Sequence, residues 1–302
     1  MMRLRTYTFV ATLASMLIVA CTDSTGTPAG QMLTLSVSGL QPLASGFHYE
    51  GWAIIGTTPL STGKFNVDAQ GNIVTLAGAP VAGGIFRADR DLRGASAIVI
   101  TIEPTGDTDA LPAPTHYLAG AVVSGSATLT VGASQALGND FNAATGKFVL
   151  ATPTTATTTD EKSGLWFIDL SSGNPAAGLS LPTLPAGWKY EGWAVINGVP
   201  VSTGTFTAVN AADDRKPFSG PLAGPPFPGE DFVAAAPSGL TFPTNLSGGT
   251  AVVSIEPSPD DSPSPFTLKP LTGAIPAMAA DHVTYSMTTQ TSGFPRGTAI
   301  IR

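Results

Sequence analysis

The chain of 302 residues carries 34 glycines and 26 prolines, so about one position in five interrupts regular backbone and long helices are excluded. Charged side chains make up 12% and hydrophobic ones 43%, a balance that excludes both a disordered polyelectrolyte and a coiled coil. With 14 basic against 21 acidic residues and no basic run, nucleic acid is excluded as a partner.

The first segment has the pattern of a secretory signal: Arg3 and Arg5 precede an apolar stretch over 9–20. That stretch is too short to span a bilayer, which takes about 20 residues. It ends in Ile18-Val19-Ala20-Cys21, which resembles the lipobox of bacterial lipoproteins, where the cysteine is lipidated and becomes the new N-terminus. Residues 1–20 therefore read as a signal peptide, and 21–31, rich in Thr, Ser, Gly and Pro, as the lipidated cysteine and its tether. Cys21 is the single cysteine, so the mature chain is left without a disulfide and depends on burial for stability. Anchoring falls to the lipid, because no polybasic segment supports it. The expected location is the periplasmic side of the envelope, on the inner or the outer membrane.

From residue 32 onward the chain repeats itself. Tyr49-Glu50-Gly51-Trp52-Ala53 recurs as Tyr190-Glu191-Gly192-Trp193-Ala194, and the match runs on through Ser61-Thr62-Gly63 and Phe65 to Ser202-Thr203-Gly204 and Phe206. Further along, Ile102-Glu103-Pro104 matches Ile255-Glu256-Pro257, and Asp107 matches Asp260. Within the first copy, short β-branched runs at 33–37, 51–55, 63–67, 98–102, 127–131 and 147–151 predict strands, several with the alternation of a half-buried sheet. The expected fold class is all-β, two tandem homologous β-sandwich domains of immunoglobulin-like type. The first spans 32–153, closed by the strand at 147–151. A Thr-rich linker follows over 154–163, and the second domain, opened by a strand at 165–170, spans 164–302.

The second copy carries a proline-rich insertion over 213–230. Its Pro225-Pro226-Phe227-Pro228 core cannot enter a sheet interior and favours an extended polyproline conformation. Two readings stay open. Phe218, Pro225, Pro226, Phe227 and Pro228 form a docking element for a partner, or the loop folds its two phenylalanines over its own domain.

No catalytic constellation emerges. His48, His116 and His282 are too scattered in sequence for a metal motif, and the aspartates at 107, 109, 260 and 261 lack calcium-loop spacing. Ser61-Thr62-Gly63-Lys64 has a Ser-x-x-Lys pattern, but Thr205 replaces the lysine in the second copy, so the segment reads as a hairpin turn with Gly63 and Gly204 supplying backbone freedom. Glu50 and Glu103, kept as Glu191 and Glu256, are the one duplicated acidic pair. A catalytic pair has no need of duplication, whereas a carboxylate that accepts backbone N–H bonds is needed in every copy of a fold. Trp52 and Trp193 read as core. The expectation is no enzyme and no cofactor.

Tyr-Glu-Gly-Trp, Ser-Thr-Gly-x-Phe, then Ile-Glu-Pro and an acidic proline-rich loop resemble the extracytoplasmic C-terminal domain of anti-sigma-K factors, over roughly 31–153 and 164–302. That family joins such a domain, through one membrane helix, to a cytoplasmic module that holds a sigma factor. Neither is read in this sequence. The resemblance implies a β-rich fold and a non-enzymatic, protein-contacting role without direct binding of a cytoplasmic sigma factor. The expected function is a lipid-anchored scaffold, an extrinsic accessory subunit of a membrane complex of the respiratory or photosynthetic kind. The alternative is an envelope sensor in an extracytoplasmic sigma/anti-sigma pathway.

Overall fold

The computed structural model describes residues 30–259 and 262–302. The fold is all-β, an assembly of antiparallel sheets in sandwich fashion, as the short alternating runs require. In the first half the strands are β1 (Met32–Ser38), β2 (His48–Ile55), β3 (Thr58–Val67), β4 (Ile73–Val74), β5 (Ile85–Arg87), β6 (Ala95–Glu103), β7 (His116–Val123), β8 (Ser126–Thr130) and β9 (Thr145–Leu150). In the second half they are β10 (Gly164–Trp166), β11 (Ile168–Asp169), β12 (Ala176–Ala177), β13 (Leu179–Ser180), β14 (Trp188–Ile196) and β15 (Val199–Phe206). These are followed by β16 (Gly229–Asp231), β17 (Thr250–Pro257), β18 (Leu271–Ala274), β19 (Tyr285–Ser286), β20 (Thr288–Thr289) and β21 (Arg296–Ile301). All six strands expected in the first copy are present.

The sheets do not respect the division at 153/164. The nine-stranded sheet runs β4-β3-β2-β6-β7-β8-β21-β1-β5, so the last strand of the chain lies between two strands of the first half. Its register on β1 runs from Leu33 opposite Ile301 to Ser38 opposite Arg296, and on β8 from Ser126 opposite Ile300 to Thr130 opposite Arg296. Conversely β9, expected to close the first domain, pairs with β10, β13 and β19, all from the second half. Each repeat therefore gives its closing strand to the other. The reason lies in the connection: β9 and β10 are antiparallel neighbours joined by the segment 151–163, so β9 is drawn into the second half, and β21 fills the place it leaves beside β1. The segment expected as a linker, 154–163, is strapped down at its ends. Thr154 and Ser163 are buried, and the Ser163 hydroxyl donates to the Phe232 carbonyl at 2.6 Å.

Interlocking puts both repeats around one core. A single cluster of buried side chains runs from Leu33 and Leu35 through Phe148 and Leu165 to Ile255, Leu271 and Ala299. At the junction, Tyr49 stacks on Tyr117 with ring centroids 6.1 Å apart, and Tyr117 meets Trp188 and Phe266 of the second repeat at 5.8 and 5.5 Å. The repeats also share a device that fixes the entry to their central strand: the Tyr49 hydroxyl donates to the Gln41 carbonyl, and the Tyr190 hydroxyl to the Pro182 carbonyl, each eight residues upstream.

Ser61-Thr62-Gly63 is not a hairpin turn. The β2–β3 turn falls at Gly56-Thr57, and the β14–β15 turn at Asn197-Gly198, where both residues have positive φ. The motif instead forms a β-bulge in the middle of β3. Gly51 faces Gly63 while Trp52 faces Ser61, and Thr62 is the extra residue; Thr203 takes that place in β15. The freedom of Gly63 and Gly204 is used there, at φ +134° and +117°. Pro59 and Pro200 lie beside these bulges on β3 and on the edge strand β15, and both features blunt a strand against pairing with another chain.

Candidate functional site

The duplicated glutamates sit in one polar chain built twice. In the first repeat, the Trp52 indole N–H donates to Thr101 Oγ1 at 2.9 Å, the Thr101 hydroxyl donates to Glu103, and Glu103 accepts the Ala113 backbone N–H at 3.0 Å. In the second, the Trp193 indole N–H donates to Ser254 Oγ at 2.7 Å, the Ser254 hydroxyl to Glu256, and Glu256 accepts the Phe266 N–H at 2.8 Å. Glu103 and Glu256 are 0% and 1% exposed. Each chain ties a central strand to the loop that leaves it, a structural duty that recurs because the fold recurs. Glu50 and Glu191 are buried one strand over and accept the hydroxyls of Ser61 and Ser202, the first residues of the two bulge motifs. Trp52 and Trp193 are core, as expected.

Around Glu50 the repeats diverge. Lys64 Nζ lies 2.9 Å from Asp107 Oδ2 and 3.5 Å from Glu50 Oε2, and it also donates to the Asp107 carbonyl. The Asp107 carboxyl is held below the usual carboxylate range by that lysine, whereas burial pushes the Glu50 carboxyl up against the pull of Ser61 and Lys64. His48 completes the group: it offers a ring nitrogen within 4.8 Å of a carboxylate oxygen from each of Glu50 and Asp107. In the second repeat Lys189 stands in the place of His48 and Thr205 in that of Lys64, and Lys189 Nζ pairs with Asp214 at 2.8 Å. The cation has moved from one strand of the hairpin to the other. His116 and His282 lie elsewhere, bonded to the Gln135 carbonyl and to Asp281.

The insertion lays its two phenylalanines over its own domain, the second of the two readings, while Phe218, Pro225 and Phe227 stay half-buried. Phe218 packs against Phe232 and Phe242 with centroids 6.0 and 5.6 Å apart, and Phe227 packs on the cluster of Val149, Ala151, Trp166 and Ile168. Pro228 is buried and its carbonyl accepts the Phe167 N–H at 3.0 Å; of the five residues only Pro226 is exposed. The cause is a buried acidic cluster at the base of the insertion. Asp231 accepts the Trp166 indole N–H and the Thr154 N–H, both at 2.7 Å; Asp213 accepts the Gly229 N–H at 3.0 Å; Glu230 accepts the Ser219 hydroxyl. No sequence pattern marks these carboxylates: Asp231 reaches Thr154 77 residues away, and Asp213 and Glu230 bond Gly229 and Ser219 within the insertion itself.

Burial pushes the carboxyls of Asp213 and Glu230 up to about 7 and raises that of Asp231. The folded chain thus holds protons that an unfolded Asp or Glu, with a pKa near 4, would release. The resulting stabilisation is full below about pH 4 and is lost as pH rises through about 7, at roughly 1 kcal/mol per pH unit for each group. The melting temperature is therefore expected to rise on acidification from pH 8 to pH 5, and the Asp213→Asn/Glu230→Gln variant to show a flatter profile. Calorimetric scans across that range check this; matching slopes for the two proteins would refute it.

A cleft of about 440 Å³ lies between the repeats, lined by Leu43, Phe47 and Ile102 from the first and Pro257, Phe266 and Lys269 from the second. Burial draws the Lys269 ammonium below its usual pKa, with Glu256 opposing. Among the described residues no helix is long and apolar enough to cross a membrane. Cys21, Asp260 and Asp261 lie outside the described residues. Compared with family models, curated proteins and solved structures, the chain matches none.

Proposed function

We propose that this chain is a non-enzymatic scaffold, held by a lipid on Cys21 at the periplasmic face of the cell envelope and serving as an extrinsic accessory subunit of a membrane complex. The observation that carries the reading is the duplicated Trp–Ser/Thr–Glu chain. The one acidic pair present in both repeats is buried and bound to its own sheet, a duty of architecture rather than of acid–base exchange. Two further features support it. The Ile18-Val19-Ala20-Cys21 lipobox puts the single thiol where a lipid attaches, and interlocked repeats give a rigid body, suited to bracing other subunits. The cleft at the repeat junction is the surface on which a partner would seat.

Anchoring is tested by fractionating cells that express the native chain and Cys21→Ser. The native protein is expected to sediment with membranes and enter the detergent phase, and the variant to appear in the soluble fraction. A variant that stays in the detergent phase would remove the lipid from the account.

A further inference from the structure

We propose that His48, Glu50 and Asp107 form a binding site for a divalent transition metal of the zinc class, with the Lys64 ammonium as the ion's competitor. His48 and Asp107 lie 59 positions apart in sequence, and the fold brings one imidazole and two carboxylates together with all three donor atoms within 4.8 Å of one another. Donors around a tetrahedral zinc stand about 3.4 Å apart, so the group needs to close by roughly 1.4 Å at most. Asp107 lies on the loop between β6 and β7 and can supply that movement.

The imidazole is the second, independent observation. His48 is 95% buried, on a relative exposure of 5%, and its Nε2 has no hydrogen-bond partner. A buried ring nitrogen left unbonded carries a desolvation cost that a ligand would relieve. Glu50 Oε2 is likewise buried and lacks a hydrogen bond, and its ion pair with Lys64 is long, at 3.5 Å. Two carboxylates and a neutral imidazole are a donor set for zinc or a neighbouring divalent ion, and three protein ligands leave a position for water. Lys64, with its side chain 30% exposed, reaches the carboxylates from the solvent side and can withdraw there. Binding would exchange a single positive charge for a double one and pin the 104–115 loop to β2.

The second repeat supplies the internal control. Lys189 in the position of His48 puts an ammonium where the site needs a donor, so one ion per chain is expected, not two. The same substitution makes the best variant, because His48→Lys installs a side chain that the sister repeat already accommodates.

The test is calorimetric titration of the full chain in detergent with zinc chloride, with the visible spectrum of the cobalt-loaded protein as a check on coordination. One zinc per chain is expected. His48→Lys and Asp107→Asn should each weaken binding by at least about tenfold, and Lys64→Ala should tighten it about threefold to tenfold, because no ammonium has to be displaced. Melting curves without metal identify any variant that fails to fold. The proposal is overturned by a native chain that takes up no zinc to saturation, by binding that survives both ligand substitutions, or by a folded Lys64→Ala protein with unchanged affinity.

Discussion

A chain ending at residue 295 is expected to lose the cooperative unfolding transition of the full protein. Without β21, the facing backbone groups of β1 and β8 lose their partners over the whole register from Leu33–Ile301 to Ser38–Arg296, and the core loses Ala299, which is 1% exposed. Two flat edges open in the middle of a nine-stranded sheet, where no proline or bulge protects them. Domain stabilities are about 5–15 kcal/mol, and the loss of a central strand is of that order. The fragment 30–153 should fare no better, because it lacks β21 and keeps β9 without the strands that β9 pairs with. A synthetic peptide covering 290–302, added to the truncated chain, should restore the transition by taking the vacant place. Circular dichroism melts of the four samples decide the matter: a fragment 30–153 that unfolds cooperatively by itself would show two independent domains after all.

Glu103→Ala and Glu256→Ala should each cost about 3–5 kcal/mol, the range for removing one partner from a fully buried polar network. Glu103→Ala deprives the Thr101 hydroxyl and the Ala113 N–H of their acceptor, and leaves a void in a site with no exposure. For a chain of this size such a loss lowers the melting temperature by about 10 °C. Glu103→Gln keeps an acceptor oxygen of the same shape and should cost about 1–2 kcal/mol. The order Ala worse than Gln, with matching costs in the two repeats, is the signature of a structural role. Urea unfolding of the four variants, Glu256→Gln included, measures it. Full stability in either alanine variant would place these carboxylates outside the architecture and return them to candidates for chemistry.

The sequence exposed the parts of this fold that depend on local pattern or on repetition. Alternating β-branched runs located six of the nine first-half strands, missing β4, β5 and β7, and the offset between Tyr49 and Tyr190 revealed the duplicated unit with its paired glutamates. The exchange of closing strands lay beyond that reading. The runs at 147–151 and 296–301 offer an apolar face to whichever sheet takes them, and the choice is made by the connection between β9 and β10 rather than by side-chain pattern. Ser-Thr-Gly misled for a similar reason, since a glycine with positive φ serves a turn and a bulge equally well. The choice between the two readings of Phe218 and Phe227 was not legible either, because Asp231, which helps to hold the insertion, has its partner Thr154 77 residues away. The metal-ligating group left one trace in the alignment of the repeats, the reciprocal change of His48 to Lys189 and Lys64 to Thr205, and its meaning depends on seeing both positions beside Glu50.

The central claim, an anchored scaffold that braces a membrane complex, is tested most directly by cross-linking native membranes, capturing the chain through an epitope in the exposed 157–159 segment, and identifying its companions by mass spectrometry. The account predicts stoichiometric recovery of the subunits of one membrane complex, lost when Cys21→Ser releases the chain. Recovery of the lipidated protein alone would contradict it, and recovery with a transmembrane anti-sigma protein would replace the bracing role by a signalling one.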